Sequence, residues 1–76
     1  MSDMTMTQIK KDTVVRFTPD EARNRVTVLV SYVTIYKGLD FGFIMGHRCN
    51  EDGEVAPRTR IKSYKVSLDA TIEVRT

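Results

Sequence analysis

Hydrophobic and polar residues alternate along much of the chain, with the period of two that is typical of β-strands. The first such segment covers about residues 5 to 17. Its inward set is Ile9, Thr13, Val15 and Phe17, and its outward set is Lys10, Asp12, Val14 and Arg16. This pattern predicts a strand with one face buried and the other face in water.

The segment that follows, "TPDEARN", predicts one short helical turn near residues 19–24. Thr18 is a residue type that caps helices, Pro19 suits the first helical position and Glu21 completes a capping box. Because the next strand begins directly afterwards, the segment has room for about one turn and not for a full helix.

The second predicted strand, residues 25 to 37, is apolar on both faces. Its even positions are Val26, Val28, Val30, Tyr32, Thr34 and Tyr36, and its apolar odd positions are Leu29, Val33 and Ile35. A strand with one face in water should alternate, so both faces of this strand need a cover. Either the sheet curls on itself into a barrel, or a second subunit packs on the second face.

Two further strands are predicted after the tight reversal at "KGLD", where Gly38 supplies backbone freedom. One covers about residues 40 to 48, and the other lies within residues 58 to 76. The even positions of the last strand are apolar: Tyr64, Val66, Leu68, Ala70, Ile72 and Val74. Ile61 is out of phase with this set, which predicts a bulge or bend near residues 61 to 63.

Together these segments predict one all-β domain over residues 1–76. We expect a small antiparallel four-stranded meander, curled or barrel-like, because strands of about ten residues tend to bend. A flatter sheet that forms a homodimer face to face is the alternative. A domain of 76 residues has a small core, and domains of this size often gain stability by oligomerisation.

Composition argues against several classes of protein. Cys49 is the one cysteine, which excludes an internal disulfide framework and suits the reducing cytoplasm in which we expect the protein. No apolar run reaches the roughly 18 residues of a membrane-spanning helix. The first residues also lack the apolar centre of a signal peptide. We therefore expect a soluble protein without a membrane partner.

The sequence offers little catalytic chemistry. His47 and Cys49 supply only two nitrogen or sulfur ligands, whereas a structural zinc site needs four, so we predict no metal site. Two residues apart on a strand, they are also poorly placed to act as base and nucleophile. Glu51 and Asp52 lie in a polar loop where water solvates both carboxylates, and no glycine-rich phosphate loop is present. We predict no enzyme and no cofactor.

The segment "YKGLDFGFIMGH", residues 36 to 47, carries a family resemblance. Its letters "KG" and "FGFI" resemble the first ribonucleoprotein motif of cold-shock domains, which reads K-G-F-G-F-I. Members of that family are small five-stranded barrels that bind single-stranded nucleic acid. Leu39 and Asp40 separate the two parts of the motif, and the aromatic, histidine-rich second motif is missing. No function is carried over from this resemblance.

The same segment places Phe41 and Phe43 on one strand face. Because the chain has three phenylalanines and no tryptophan, we expect these rings in the core. The alternative is an exposed platform on which nucleic-acid bases stack. On the opposite face, Gly42 and Gly46 flank Ile44 and form a shallow strip that a neighbouring chain can approach closely.

Two candidate binding surfaces follow from these strands. The first is an apolar interface, which closure of the sheet or a cover formed by Met4 and Met6 would instead bury; its members are Leu29, Val33, Ile35 and Ile44. The second is a basic row for phosphates or for the carboxylates of a partner, with a plain solvated face as the alternative; its members are Arg58, Arg60, Lys62 and Lys65.

These features favour a non-catalytic protein-binding module that occludes the surface of a partner. Small accessory or inhibitor proteins of viruses and mobile elements are of this kind. The alternative is a small β-barrel that binds single-stranded nucleic acid through Phe41, Phe43, Tyr64 and the basic row. A net charge of +2 does not by itself indicate a nucleic-acid binder, so a protein partner, or a second copy of the chain, is the first expectation.

Overall fold

A computed structural model describes residues 2–20, 22–50, 52, 54–55 and 60–75. These residues form one antiparallel sheet and one short 3₁₀ helix. The strands are β1 (Ser2–Met4), β2 (Val14–Phe17), β3 (Val26–Ile35), β4 (Phe41–Arg48), β5 (Lys62–Ser67) and β6 (Ile72–Arg75), and the helix η1 is Met6–Gln8. Across the sheet the strand order is β1-β6-β2-β3-β4-β5.

The predicted all-β antiparallel class is confirmed, but the predicted architecture is wrong in two respects. The described residues form six strands and not four, and the sheet does not close into a barrel. Strands β2 to β5 form the expected meander, while β6 returns to pair with β2 on one side and β1 on the other. The sheet therefore ends in two edge strands, β1 and β5.

The first predicted strand is interrupted by η1 and a turn. The Gln8 N–H donates to the Thr5 carbonyl at 3.0 Å, and the Gln8 side-chain oxygen accepts from the Thr5 N–H at 3.1 Å. Asp12 then adopts a φ of +65°, a left-handed conformation that aspartate tolerates better than most residues. Its N–H donates to the Val30 carbonyl at 2.8 Å, so the turn is fastened to β3.

The last predicted strand is divided into β5 and β6 by a turn at residues 68–69. The turn is closed by the Ala70 N–H, which donates to the Ser67 carbonyl at 3.1 Å. The alternation nevertheless holds through the break: Val66, Ile72 and Val74 are buried, and Tyr64, Leu68 and Ala70 pack against the core. Ile61 lies outside β5 and is half exposed. The pairing of β5 with β4 is unbroken from Lys62 to Ser67, so the bulge or bend predicted near residues 61 to 63 is not found.

The helical turn predicted near residues 19–24 is not a helix in the described part of this segment. One hydrogen bond, from the Ala22 N–H to the Pro19 carbonyl at 3.0 Å, closes a single tight turn. Glu21, which was to complete the capping box, lies outside the described residues. The segment instead contacts β5, because the Asp20 N–H donates to the Lys65 carbonyl at 3.0 Å.

A bulge in β3 changes which side chains face the core. Val30 lies opposite Gly46 and Tyr32 lies opposite Met45, so Ser31 is an extra residue without a partner on β4. Before the bulge the even positions point inward, and after it the odd positions do. The predicted unbroken even and odd faces of this strand are therefore wrong beyond Val30, since Val33 and not Tyr32 lies beside Ile44.

The sheet curls although it stays open. The rings of Phe17 on β2 and Tyr64 on β5 meet edge to face, with centroids 5.7 Å apart and an interplanar angle of 83°. Two strands stand between β2 and β5, so a flat sheet would separate them by roughly 14 Å. The curl forms the core on the inner face, where the buried side chains are Met6, Val15, Phe17, Val28, Val30, Ile44, Val66, Ile72 and Val74.

Candidate interaction surface

The outer face of strands β3, β4 and β5 carries aromatic side chains. Phe41 and Phe43 alternate with the buried positions of β4 and are only half-buried, so the expectation that they belong to the core is wrong. The inner side of β4 is occupied by Ile44 and by Met6, which lies over Gly42. The phenylalanine rings are therefore turned away from the core.

The rings on this face form a continuous array. Tyr36 and Phe43 meet edge to face at 6.1 Å and 84°, and Phe43 meets Phe41 in the same way at 5.8 Å and 89°. The Lys65 ammonium lies 4.3 Å from the centre of the Phe41 ring, within cation–π distance. We call this surface the aromatic face; its residues are Tyr32, Tyr36, Phe41, Phe43 and Met45.

The aromatic face is accessible to a partner. Tyr32 is 51% exposed and Tyr36 is 47% exposed, although both are large side chains. Sequence reasoning missed both tyrosines as surface residues, because the bulge at Ser31 is what turns Tyr32 to the side of Phe43 and Met45. The one signal was the second strand itself, which is apolar on both faces and so required a cover on each.

The predicted apolar interface does not lie on one face. Ile44 is fully buried in the core, and Val33 packs beside it on the inner side. Leu29 precedes the bulge and points outward, opposite His47. Ile35 lies opposite Gly42 at the edge of the core and is 40% exposed. The shift in register at Ser31 separates these residues, which an unbroken strand would have kept together.

The predicted basic row is also divided between faces. Lys65 lies on the aromatic face, whereas Lys62, three positions earlier on the same strand, belongs to the opposite side and is exposed. Arg60 is exposed just before β5, and Arg58 lies outside the described residues. Among the described members of the row, Lys65 is thus the one that the fold brings to the aromatic rings.

Cys49 is buried beside the end of β4. Its thiol donates to the His47 carbonyl at 3.6 Å, and burial raises the pKa of this thiol, while a hydrogen bond with the Leu29 backbone acts in the opposite direction. A buried thiol with a raised pKa is a poor nucleophile, because the thiolate is the reactive form. The side chain acts as a small apolar residue.

Neither a metal cluster nor a spanning helix is found in the part of the chain that the structure describes. No group of three histidine, cysteine, aspartate or glutamate side chains is arranged there to hold a metal ion. Likewise, no helix among these residues has the length and apolar character to cross a membrane.

Comparisons of the chain with protein families, with curated proteins and with solved structures found no match. The side chains on the surface of the sheet are consequently the basis for interpreting its function. Among them, the aromatic array combines large contact area, partial exposure and mutual support of the rings.

Proposed function

We propose that this chain is a non-catalytic protein-binding module that docks through its aromatic face. The observation that carries the proposal is the ring array on the outer side of the sheet, with Tyr32 and Tyr36 about half exposed. Tyrosine, phenylalanine and methionine are enriched at the centres of protein interfaces, where charged residues are depleted. The composition of this face matches such a centre.

The aromatic face is also suited energetically to bind. The rings of Tyr36, Phe43 and Phe41 support one another edge to face, so they lose little conformational freedom on binding. A buried aromatic side chain removes about 150–250 Å² from water, and burial contributes about 25 cal/mol per Å² of apolar area. A few such anchors at the centre of an interface carry most of its binding energy.

The occupant that we favour is an apolar surface of another protein. Lys65 is the cation that contacts the rings, and its ammonium is engaged by Phe41. A partner that buries this face must therefore desolvate few charges, which favours an apolar partner over a highly charged one. By covering such a surface the module would inhibit its partner, as we expect of a viral or mobile-element accessory protein in a reducing cytoplasm.

The test is affinity capture that compares matched variants. Tyr32→Glu places a charge on the aromatic face and should remove the captured partner. Val55→Glu is the control, because Val55 is similarly exposed, at 41%, and lies in the loop after β4. The proposal predicts proteins that are captured by the native chain and by Val55→Glu but are lost with Tyr32→Glu, in nuclease-treated extracts and at unchanged melting temperature.

An identical set of captured proteins for all three chains would contradict the proposal. Sedimentation of the purified protein adds a second readout, since a second copy of the chain is another possible occupant of the face. If the native chain is a dimer and Tyr32→Glu is a monomer, the aromatic face is a homodimer interface and not the site for a different protein.

Single-stranded nucleic acid is the second candidate partner. It is favoured by Phe41 and Phe43, which stand two positions apart on the outer face, and by Lys65 beside them. Bases stack on such rings while lysine contacts the phosphates. A labelled oligonucleotide should then be retained at low salt and released steeply as salt rises. No retention at low salt would remove this candidate.

A further inference from the structure

A cleft of about 300 Å³ opens at one end of the curled sheet, between the segment that follows β2 and the edge strand β5. Two backbone hydrogen bonds of 3.0 Å shape its walls, from the Asp20 N–H to the Lys65 carbonyl and from the Ala22 N–H to the Pro19 carbonyl. Small-molecule sites occupy about 300–1,000 Å³, so the cleft suits a small ligand. Its apolar lining is Pro19, Ala22 and Val26, and its polar lining includes Arg48, Ser63 and Tyr64.

The strand register turns Arg48 toward this cleft. The buried positions of β4 are Gly42, Ile44 and Gly46, and Arg48 continues their phase opposite Val28, which is fully buried. Because Arg48 is the last residue of β4, its side chain belongs to the inner side of the sheet and is nevertheless exposed. No ion pair of its guanidinium is found among the residues that the structure describes.

Two other charges near the cleft are engaged elsewhere. The Lys65 ammonium lies 4.3 Å from the centre of the Phe41 ring, on the outer side of the sheet. The Asp20 carboxylate accepts from the Ser67 hydroxyl, with 3.4 Å between the hydroxyl and each carboxylate oxygen. None of the described residues that line the cleft is acidic. Arg48 is therefore the cation that a ligand in the cleft meets.

The Tyr64 hydroxyl is buried at this cleft and has no hydrogen-bond partner among the described residues. Its ring meets Phe17 edge to face at 5.7 Å, on the same inner side of the sheet as Arg48. Burial raises the pKa of the phenol, and the nearby positive charge of Arg48 acts in the opposite direction. Because a buried hydroxyl without a partner costs free energy, an acceptor that reaches it regains a contribution that folding leaves unused.

The chemistry of the lining selects a ligand with one negative charge. Pro19 is buried and Val26 packs against the core, so these two side chains offer apolar contacts beside the guanidinium. Arginine binds a carboxylate with two parallel hydrogen bonds, and a tyrosine hydroxyl donates one more. A phosphate monoester carries a charge of about −1.5 to −2, which one arginine does not balance in an apolar cleft.

We propose that this cleft binds a monocarboxylate with an apolar body, either a free organic acid or the C-terminal carboxylate of a peptide. Arg48 and the Tyr64 hydroxyl donate to the carboxylate, and the apolar body packs on Pro19 and Val26. Since the hydroxyl is covered in this structure, the ligand reaches it as the exposed Arg48 side chain turns onto the carboxylate. The site lies on the other side of the sheet from the aromatic face and does not depend on the function proposed for that face.

The test is a titration with hexanoate followed by ¹⁵N–¹H NMR. The proposal predicts saturable shifts at Ala22, Ser63 and Tyr64. Acetate has the charge without the apolar body, and 1-hexanol has the body without the charge, so each should bind at least about tenfold more weakly than hexanoate. Absence of saturable shifts with hexanoate, or equal binding of either reference compound, would overturn the proposal.

Variants of Arg48 test the charge. Arg48→Gln should weaken hexanoate binding by about tenfold, because it removes the charge-assisted pair of hydrogen bonds. Arg48→Lys keeps the charge without the planar fork and should give an intermediate affinity. Arg23→Gln is the matched control, since Arg23 is exposed and does not line the cleft. Equal weakening by Arg23→Gln and Arg48→Gln would show general charge attraction and contradict the site.

Tyr64→Phe separates binding from folding. It removes the hydroxyl and keeps the ring on Phe17, so it should weaken hexanoate binding by about threefold, the usual worth of one hydrogen bond, without lowering the urea midpoint. A hydroxyl that serves only the fold would lower the midpoint and leave the affinity of the folded protein unchanged. Unchanged affinity in Tyr64→Phe would overturn the proposal.

A peptide identifies the source of the carboxylate once hexanoate binding is shown. Tighter binding of N-acetyl-glycyl-leucine than of hexanoate assigns the C-terminus of a peptide, and binding of hexanoate at least as tight assigns a free organic acid. The C-terminal amide of the same peptide lacks the carboxylate and should not bind. An amide that binds as tightly as the acid contradicts recognition of the carboxylate.

Discussion

The terminal methyl group of Met6 lies directly over Gly42, so that a Cβ at position 42 would stand 3.2 Å from it. The same Cβ would lie 2.7 Å from the carbonyl oxygen of Thr34, a distance that real Cβ atoms do not show. The strip around Ile44 is thus filled by the chain's own helix η1, and the glycine is required by the close approach of the neighbouring strand.

Gly42→Ala should therefore destabilise the protein by about 1–3 kcal/mol, the usual cost of an added methyl group in a packed core. Met6→Ala should cost about 2–4 kcal/mol, because it leaves a cavity at a side chain that is 1% exposed. Urea unfolding measures both values. The double variant should lose less than their sum, since the smaller Met6 side chain gives the new methyl group room on one side.

The contact with Thr34 limits this relief, because the strand backbone cannot withdraw as a flexible side chain can. The double variant should accordingly remain less stable than Met6→Ala alone. Full additivity of the two single effects would show that Met6 and Gly42 do not share one packing site.

The bulge at Ser31 leads to a second prediction. Deletion of Ser31 should leave a folded protein, because Tyr32 then follows Val30 directly and every pairing with β4 is kept. Deletion of Val33 should be far more damaging, since it turns Thr34 into the core opposite Ile44. The amide NMR spectrum and the urea midpoint distinguish the two variants. Equal loss of folding in both would mean that Ser31 is required for more than the register.

The last two strands and the bulge at Ser31 show how far the sequence predicts the fold. The period of two located the strands and, from Tyr64 to Val74, predicted the inward side chains through a turn that divides the strand. No local pattern marks Ser31 as an extra residue, since the segment is apolar on both faces and fits either phase. Because of that ambiguity, the sequence pattern predicts Leu29, Val33 and Ile35 on one face.

The surface was harder to predict than the strands for a related reason. The sequence predicts Phe41 and Phe43 in the core, because a small domain has few large rings to bury. The inner side of β4 has room only for Gly42, Ile44 and the overlying Met6. Tertiary packing decides this arrangement, and the strand pattern alone does not predict it.

The contact between Lys65 and Phe41 gives a third prediction. Lys65→Gln should lower stability by about 0.5–1 kcal/mol, the usual worth of an exposed cation–π contact, whereas Lys65→Arg should retain most of it. Thermal unfolding at low and at high salt provides the measurement. Lys62→Gln is the control, because Lys62 lies on the same strand but on the other side of the sheet. Equal effects at both positions would indicate general charge and not this contact.

The Tyr64 hydroxyl is buried without a hydrogen-bond partner among the described residues. Tyr64→Phe keeps the ring that meets Phe17 and removes only the hydroxyl, so stability should be unchanged or rise by up to about 1 kcal/mol. Tyr64→Leu is the contrasting variant, because it removes the edge-to-face contact and should destabilise. A clear loss of stability in Tyr64→Phe would show that the hydroxyl makes a bond that stabilises the fold.

Alkaline pH should weaken the fold through two buried groups. Burial is the main cause that raises the pKa of the Tyr64 phenol; Arg48 lowers this pKa, and Cys49 raises it further. Burial also raises the pKa of the Cys49 thiol. Each group keeps its proton in the folded state at a pH where the unfolded chain has lost it. Stability therefore falls as pH rises beyond the pKa values of the unfolded chain, about 8.5 for the thiol and about 10 for the phenol.

Urea unfolding between pH 7 and 11 tests this dependence. In that range Cys49→Ala should remove the earlier part of the decline in stability, and Tyr64→Phe should remove the later part. A decline unchanged by both substitutions would assign it to other groups, and stability that rises with pH would contradict the direction of both shifts.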